Sequence, residues 1–241
     1  DKLVSYFKGI TKTLNILHGD SKRKREFEIY SGTDKPATET ILNVWIRDGW
    51  MENENIVLNE IRAEGLSSPL AYIYVKKAYD PELTSEIVRY LAYDLTLQSK
   101  GIPSTPEGEQ AKKSMETRKG QAMQAITELI ETICLESSVL LAGGIRIERN
   151  SMRESIEEAL MNIADRQFYE FRNKADQKDW DKALPKALAG DPDSLKKTGW
   201  EKEPKDHPVA IEILRYIGNS AKTGKDIRSV FIRAPYGWSQ D

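Results

Sequence analysis

The sequence predicts a mixed α+β protein dominated by helices: a small mixed sheet with packed helices, an inserted long antiparallel helical hairpin, and a helical C-terminal part. Three observations predict it. Short runs rich in β-formers (27–30, 41–46 and 71–75) cluster in the first eighty residues. A four-residue apolar repeat takes over at Leu83, and beyond Ser151 the apolar residues fall almost entirely at helical spacing.

Element by element, Leu3, Phe7, Ile10, Leu14 and Leu17 recur at intervals of three and four, which predicts one helix ending near Gly19. Lys22-Arg23-Lys24-Arg25 leads into Phe27-Glu28-Ile29-Tyr30, whose apolar positions alternate, and a second strand, Ile41 to Ile46, closes on Asp48-Gly49. A helix over 52–63, with Ile56, Val57 and Ile61 apolar, stops at Gly65, and Ser67-Ser68-Pro69 turns the chain into the strongest strand, Ala71 to Val75. After Asp80-Pro81, Leu83, Ile87, Leu91 and Leu95 repeat up to Gly101. Thr105 as N-cap and Pro106 as first helical residue open a longer helix on which Met115, Lys119, Ala122, Ile126, Leu129 and Ile133 keep a heptad rhythm. Residues 82–137 therefore read as an antiparallel hairpin. Lys119, the polar position in its seam, reads either as a register device or as a side chain that snorkels to water.

Gly143-Gly144 ends the arm, and Ile145 to Glu148 alternates like a strand rejoining the sheet, which makes the arm an insertion. Ser151 with Glu154 forms a capping box for a helix reaching about residue 173, with Ile156, Leu160, Ile163, Phe168 and Phe171 as its core face. Trp180, Leu184 and Leu188 predict a short helix closed by Gly190, Asp191-Pro192 caps another ending at Gly199, and Pro208 opens the last, closed by Gly218. The resulting organisation is a sheet domain over 1–80, the hairpin over 81–142, and a strand plus helices over 143–241. The first residue, Asp1, is not an initiator Met, and the sequence stops in an aromatic turn, Pro235-Tyr236-Gly237-Trp238. Both features are expected of a piece of a longer protein.

The 241 residues hold 36 Lys and Arg against 38 Asp and Glu. The balance persists along the chain, with 12 of each sign over 1–80, 8 basic and 10 acidic over 81–150, and 16 of each over 151–241, so no segment has the positive field of a dedicated nucleic-acid module. A lone cysteine, Cys134, sits in an apolar helical run, which argues against a disulfide framework and for a reducing, cytoplasmic setting. His18 and His207 stand far apart with no Cys neighbours, so zinc ligation is not expected.

Motifs for catalysis are incomplete. Thr223-Gly224-Lys225 suggests a phosphate loop, but Gly218 stands one residue too far upstream and Asp226 replaces the hydroxyl that would hold Mg²⁺; a helix-ending turn is the expectation. Asp48 at a strand end suits a nuclease, but the neighbouring strand lacks an acid two residues before Lys76 or Lys77, so Asp48 reads as a hydrogen-bond acceptor in its turn. No catalytic, cofactor or metal residue is expected. Two candidate contact surfaces remain. Lys22, Arg23, Lys24 and Arg25 suffice to touch a phosphate backbone, or form an ordinary solvated loop. Arg228, Arg233, Tyr236 and Trp238 mix guanidinium and aromatic groups that stack on bases or anchor a partner, or else pack as core.

Four stretches carry a resemblance: Val44 to Trp50; Gly101-Ile102-Pro103-Ser104-Thr105-Pro106-Glu107-Gly108 with Met115 to Arg118; Asp206-His207-Pro208 with Lys222 to Lys225; and Pro235 to Trp238. Together and in this order they resemble the BrxC/PglY family of large P-loop proteins of bacteriophage exclusion (BREX) systems. The resemblance implies a part of an ATPase-like component of bacterial antiphage defence, working beside a methyltransferase, a phosphatase-like protein and small accessory proteins, in a parent that is an oligomer candidate. Walker residues have no counterpart here, so ATP and Mg²⁺ are expected elsewhere in that parent and not in these residues. The expected role is a non-catalytic scaffold or interaction region. DNA binding is the alternative, and a degenerate nuclease-like domain the third reading.

Overall fold

The computed structural model describes residues 2–78, 80–99, 101 and 103–238; Asp1, Ile102 and Ser239 to Asp241, with the expectations that rest on them, lie outside the described residues. The mixed, helix-dominated α+β class is as expected. A five-stranded sheet runs in the order β3 (Phe27–Tyr30), β4 (Leu42–Asp48), β5 (Leu70–Val75), β6 (Ser138–Leu141), β7 (Ile145–Ile147). Its first three strands are parallel, and β6 and β7 run antiparallel to their neighbours.

Both faces of the sheet are covered, which is why β4 and β5 read as near-continuous apolar runs. Val44, Ile46, Ala71, Ile73, Val75, Val139 and Leu141 join a core with α1 (Lys2–Thr11), α5 (Met152–Gln167) and the end of α4 (Pro106–Leu135). Trp45, Tyr72, Tyr74 and Leu140 face the other way, onto Val57 and Ile61 of α2 (Glu54–Ala63). Arg47, on that second face, lies over the Trp45 ring and pairs with Glu52 and, at 2.9 Å, Glu60.

Several elements differ from the sequence reading. The first helix stops at Thr11, whose hydroxyl donates back to the Phe7 carbonyl (2.7 Å) while Leu14 N–H closes on Thr11 O (2.9 Å). The chain then forms a hairpin of β1 (Ile16–His18) and β2 (Arg23–Arg25), paired antiparallel with Ile16 opposite Arg25. Strand β6 was hidden in the end of the expected arm, and it separates β7 from β5. The helix after Ser151 breaks at Phe168 and resumes as α6 (Tyr169–Lys174). Beyond α7 (Trp180–Leu188) and a 3-10 turn over Ser194–Thr198, α8 (Pro208–Ile217) is followed by α9 (Gly224–Phe231), which was not expected. Thr223 caps α9 in a reciprocal capping box with Asp226, so this turn begins a helix and does not end one.

The arm consists of α3 (Pro81–Ser99) and α4, inserted between β5 and β6. Thr105 Oγ1 accepts from Gly108 N at 3.1 Å and starts α4 as expected. The apolar repeat that marked α3 does not face α4, however. Ile87, Leu91 and Leu95 are 40%, 49% and 64% exposed, and no residue of α3 is buried. The seam side carries Tyr90 and Asp94 instead, and Lys119 of α4 reaches both, 2.5 Å from the Asp94 carboxylate and 5.3 Å from the Tyr90 ring centre.

Candidate functional site

Arg25 leaves the expected surface altogether. Its position on β2 opposite Ile16 turns the side chain inward, where the guanidinium lies 4.1 Å over the Phe168 ring and 4.5 Å from that of Phe171. It donates to Nδ1 of His18 (3.2 Å) and to the Gly237 carbonyl (2.6 Å). Because Nδ1 accepts, the His18 proton sits on Nε2 and is shared with Asp165 at 3.1 Å. Burial, then Arg23, lowers the Arg25 pKa to about 9, and it stays cationic at neutral pH. Burial and then Arg25 hold His18 below the ordinary histidine value, against the pull of Asp165. Arg25 is thus a buried tie between the N-terminal hairpin and the C-terminal turn, and is not available to a phosphate backbone.

Lys22 and Lys24 stay exposed and Arg23 is half-buried, and the turn before them is held by the other half of the chain. Asp176 accepts hydrogen bonds from the amides of Asp20 and Ser21 and from the Ser21 hydroxyl, all at 2.8 Å. Burial alone would raise its carboxyl, but these donors outweigh it and hold the group below the usual range. Gly19 is fixed at φ 74, where an added Cβ would come within 2.3 Å of the same carboxylate.

The second expected set divides. Arg233 is exposed and pairs with Glu39 at 3.2 Å, and the Tyr236 hydroxyl donates to Glu212, which also binds Lys174. Trp238 is buried, stacked on Phe231 with ring centres 4.5 Å apart and its amide bonded to the Phe231 carbonyl. The aromatic turn is therefore covered by residues of this chain. Arg228, on α9, is exposed.

Folding nevertheless brings the two sets to one place. Lys22, Arg23, Lys24, Arg228 and Trp238 line a single cavity of about 670 Å³, whose apolar walls include Phe171, Trp180, Leu184, Ile213 and Phe231. The sequence reading missed those walls, since they come from α6, α7, α8 and α9 and meet only in the fold. Their apolar helical spacing was the available signal.

No protein-family model, curated protein or solved structure matches this chain.

Elsewhere, Asp48 accepts from the amides of Trp50 (3.0 Å) and Met51 (3.1 Å), the turn role read from its sequence. Cys134 is fully buried, and burial followed by Glu131 pushes its thiol up to about 12. Among the described residues no group of three or more His, Cys, Asp or Glu is placed to hold a metal ion, and no helix is long and apolar enough to cross a membrane.

Proposed function

We propose that this chain is a non-catalytic interaction region of a BrxC-like P-loop ATPase in a cytoplasmic antiphage defence system, and that the α3–α4 arm is the part that meets another protein subunit. Membership of that system rests on the four sequence stretches described above. The observation that carries the role is the outward face of α3, where Ile87, Val88, Leu91 and Leu95 form an exposed apolar stripe along a helix with no buried residue. Contiguous apolar surface of this kind marks protein contacts. Over residues 81–135 the arm carries six Lys and Arg against eight Asp and Glu, a balance that favours a protein partner over a phosphate backbone.

The test replaces Ile87, Leu91 and Leu95 by Ser and measures capture of the methyltransferase, the phosphatase-like protein and the small accessory proteins. The exposed positions leave the fold intact, with a stability change within about 0.5 kcal/mol per site. Loss of one captured component is expected. Unchanged capture of every component would remove the arm from the account.

A further inference from the structure

The cavity between the β1–β2 turn and helices α6 to α9 has an uneven distribution of charge. Its mouth gathers Lys22, Arg23, Lys24 and Arg228, with Asp181 the one carboxylate among its described lining residues. The whole chain carries a net charge of −2, so this cationic mouth opposes the sign of the molecule around it. Lys22 and Lys24 are exposed and form no ion pair among the described residues.

Behind the mouth the walls are apolar and aromatic, with Trp180, Phe231 and Trp238 among them, and a volume near 670 Å³ lies within the range of sites for small ligands. Trp238, one of the lining residues, has its indole Nε1 buried with no acceptor among the described residues. The exposed ammonium groups of Lys22 and Lys24 beside apolar walls favour an anion that pairs with them and a body that covers the walls.

We propose that this cavity binds an amphiphilic anion: a compact alkyl or aryl body inside, carrying a phosphate or carboxylate head held at the mouth by Lys22, Lys24 and Arg228. Asp181, an exposed carboxylate in the same lining, disfavours a purely polar polyanion. This site is independent of the arm and of the partner proposed for it.

The experiment titrates the full chain calorimetrically with dodecyl phosphate and with 1-naphthyl phosphate, against inorganic phosphate and dodecyltrimethylammonium. At least one organic phosphate is expected to bind about ten-fold or more tighter than both controls, the scale of one charge-assisted contact. Tighter binding of the dodecyl compound names a lipid-like source, and of the naphthyl compound an aromatic one. Lys24→Glu with Arg228→Glu, both exposed, should weaken that binding by about ten-fold or more. Ala187→Trp, which fills the cavity from α7, should abolish it with the melting temperature retained. Equal binding of inorganic phosphate, equal binding of the cationic amphiphile, or indifference to the charge reversals would each overturn the proposal.

Discussion

The Gly237 carbonyl accepts a 2.6 Å hydrogen bond from Arg25 Nη1, across 212 positions of sequence. The same guanidinium donates to His18 and lies over Phe168 and Phe171, so one side chain joins the β1–β2 hairpin, the α5–α6 junction and the C-terminal turn. Replacing Arg25 by Ala leaves two buried acceptors without donors and removes the aliphatic stem, and should cost about 2–4 kcal/mol. Arg25→Lys should recover only a minority of this, because an ammonium cannot serve His18 and Gly237 together from one plane. Urea denaturation of the three proteins measures it.

Gly237 itself sits at φ 59, and a Cβ there would lie 2.4 Å from Phe168 Cδ1 and 2.7 Å from Arg25 Nη1. Neither neighbour is free to yield. Gly237→Ala should therefore destabilise by about 2–4 kcal/mol, combining left-handed strain with overpacking. Gly190 is also left-handed, at φ 78, but has open space around its position, so Gly190→Ala should show the strain alone, about 1 kcal/mol. Equal losses at the two sites would contradict the packing argument.

Both histidines are held below the ordinary value, His18 by burial and then Arg25, His207 by burial. His207 accepts from Val209 N at Nδ1 and caps α8, between the rings of Trp180 and Trp200. Below about pH 6.5 the unfolded chain takes up protons that the folded chain refuses, so stability is full above that value and falls on acidification. The urea midpoint should hold between about pH 8 and 7 and drop between about 6.5 and 5, a window above the carboxylate titrations. His18→Gln with His207→Gln should flatten that drop, and a midpoint that does not move in the unaltered chain would refute the assignment.

Lys119 and Asp94 join the two helices of the arm at 2.5 Å. The pair lies in the seam while the apolar stripe is outside, and we expect it to set which side of α3 meets α4. Lys119→Glu should speed amide exchange throughout the arm, and Lys119→Glu combined with Asp94→Lys should restore protection. A double variant no better protected than the single one would show that the pair does not set the register.

Where a local rule acts alone, the sequence was enough. Thr105 and Pro106 start α4, Ser151 caps α5 by accepting from the Glu154 amide though Glu154 does not close the expected box in return, and the β-branched and aromatic run before Lys76 is a central strand. It was misleading where two patterns coincide. Leu14 and Leu17 continue a helical spacing, yet Leu14 and Ile16 are the buried residues and Leu17 is 43% exposed, because the chain has already changed to strand. Strand β6 is buried on both faces and starts soon after α4 ends, so it shows no alternation, and no Gly or Pro separates it from the helix before it. Of the candidate contacts, the cationic run was visible as composition, but the inward turn of Arg25 depends on a strand pairing that only tertiary context decides. The cavity draws on four separate helices and had no contiguous signature.

The arm leaves the body after Val75 and returns at Ser138, which pairs with Tyr74 on the adjacent strand. Departure and return are thus one strand spacing apart, about 5 Å, whatever the length of chain between them. The body is indifferent to how far that excursion travels. Its reach can be shortened, extended or replaced by a different appendage in a related protein while every strand of the sheet keeps its neighbours, so divergence between relatives should concentrate at the tip and spare the base.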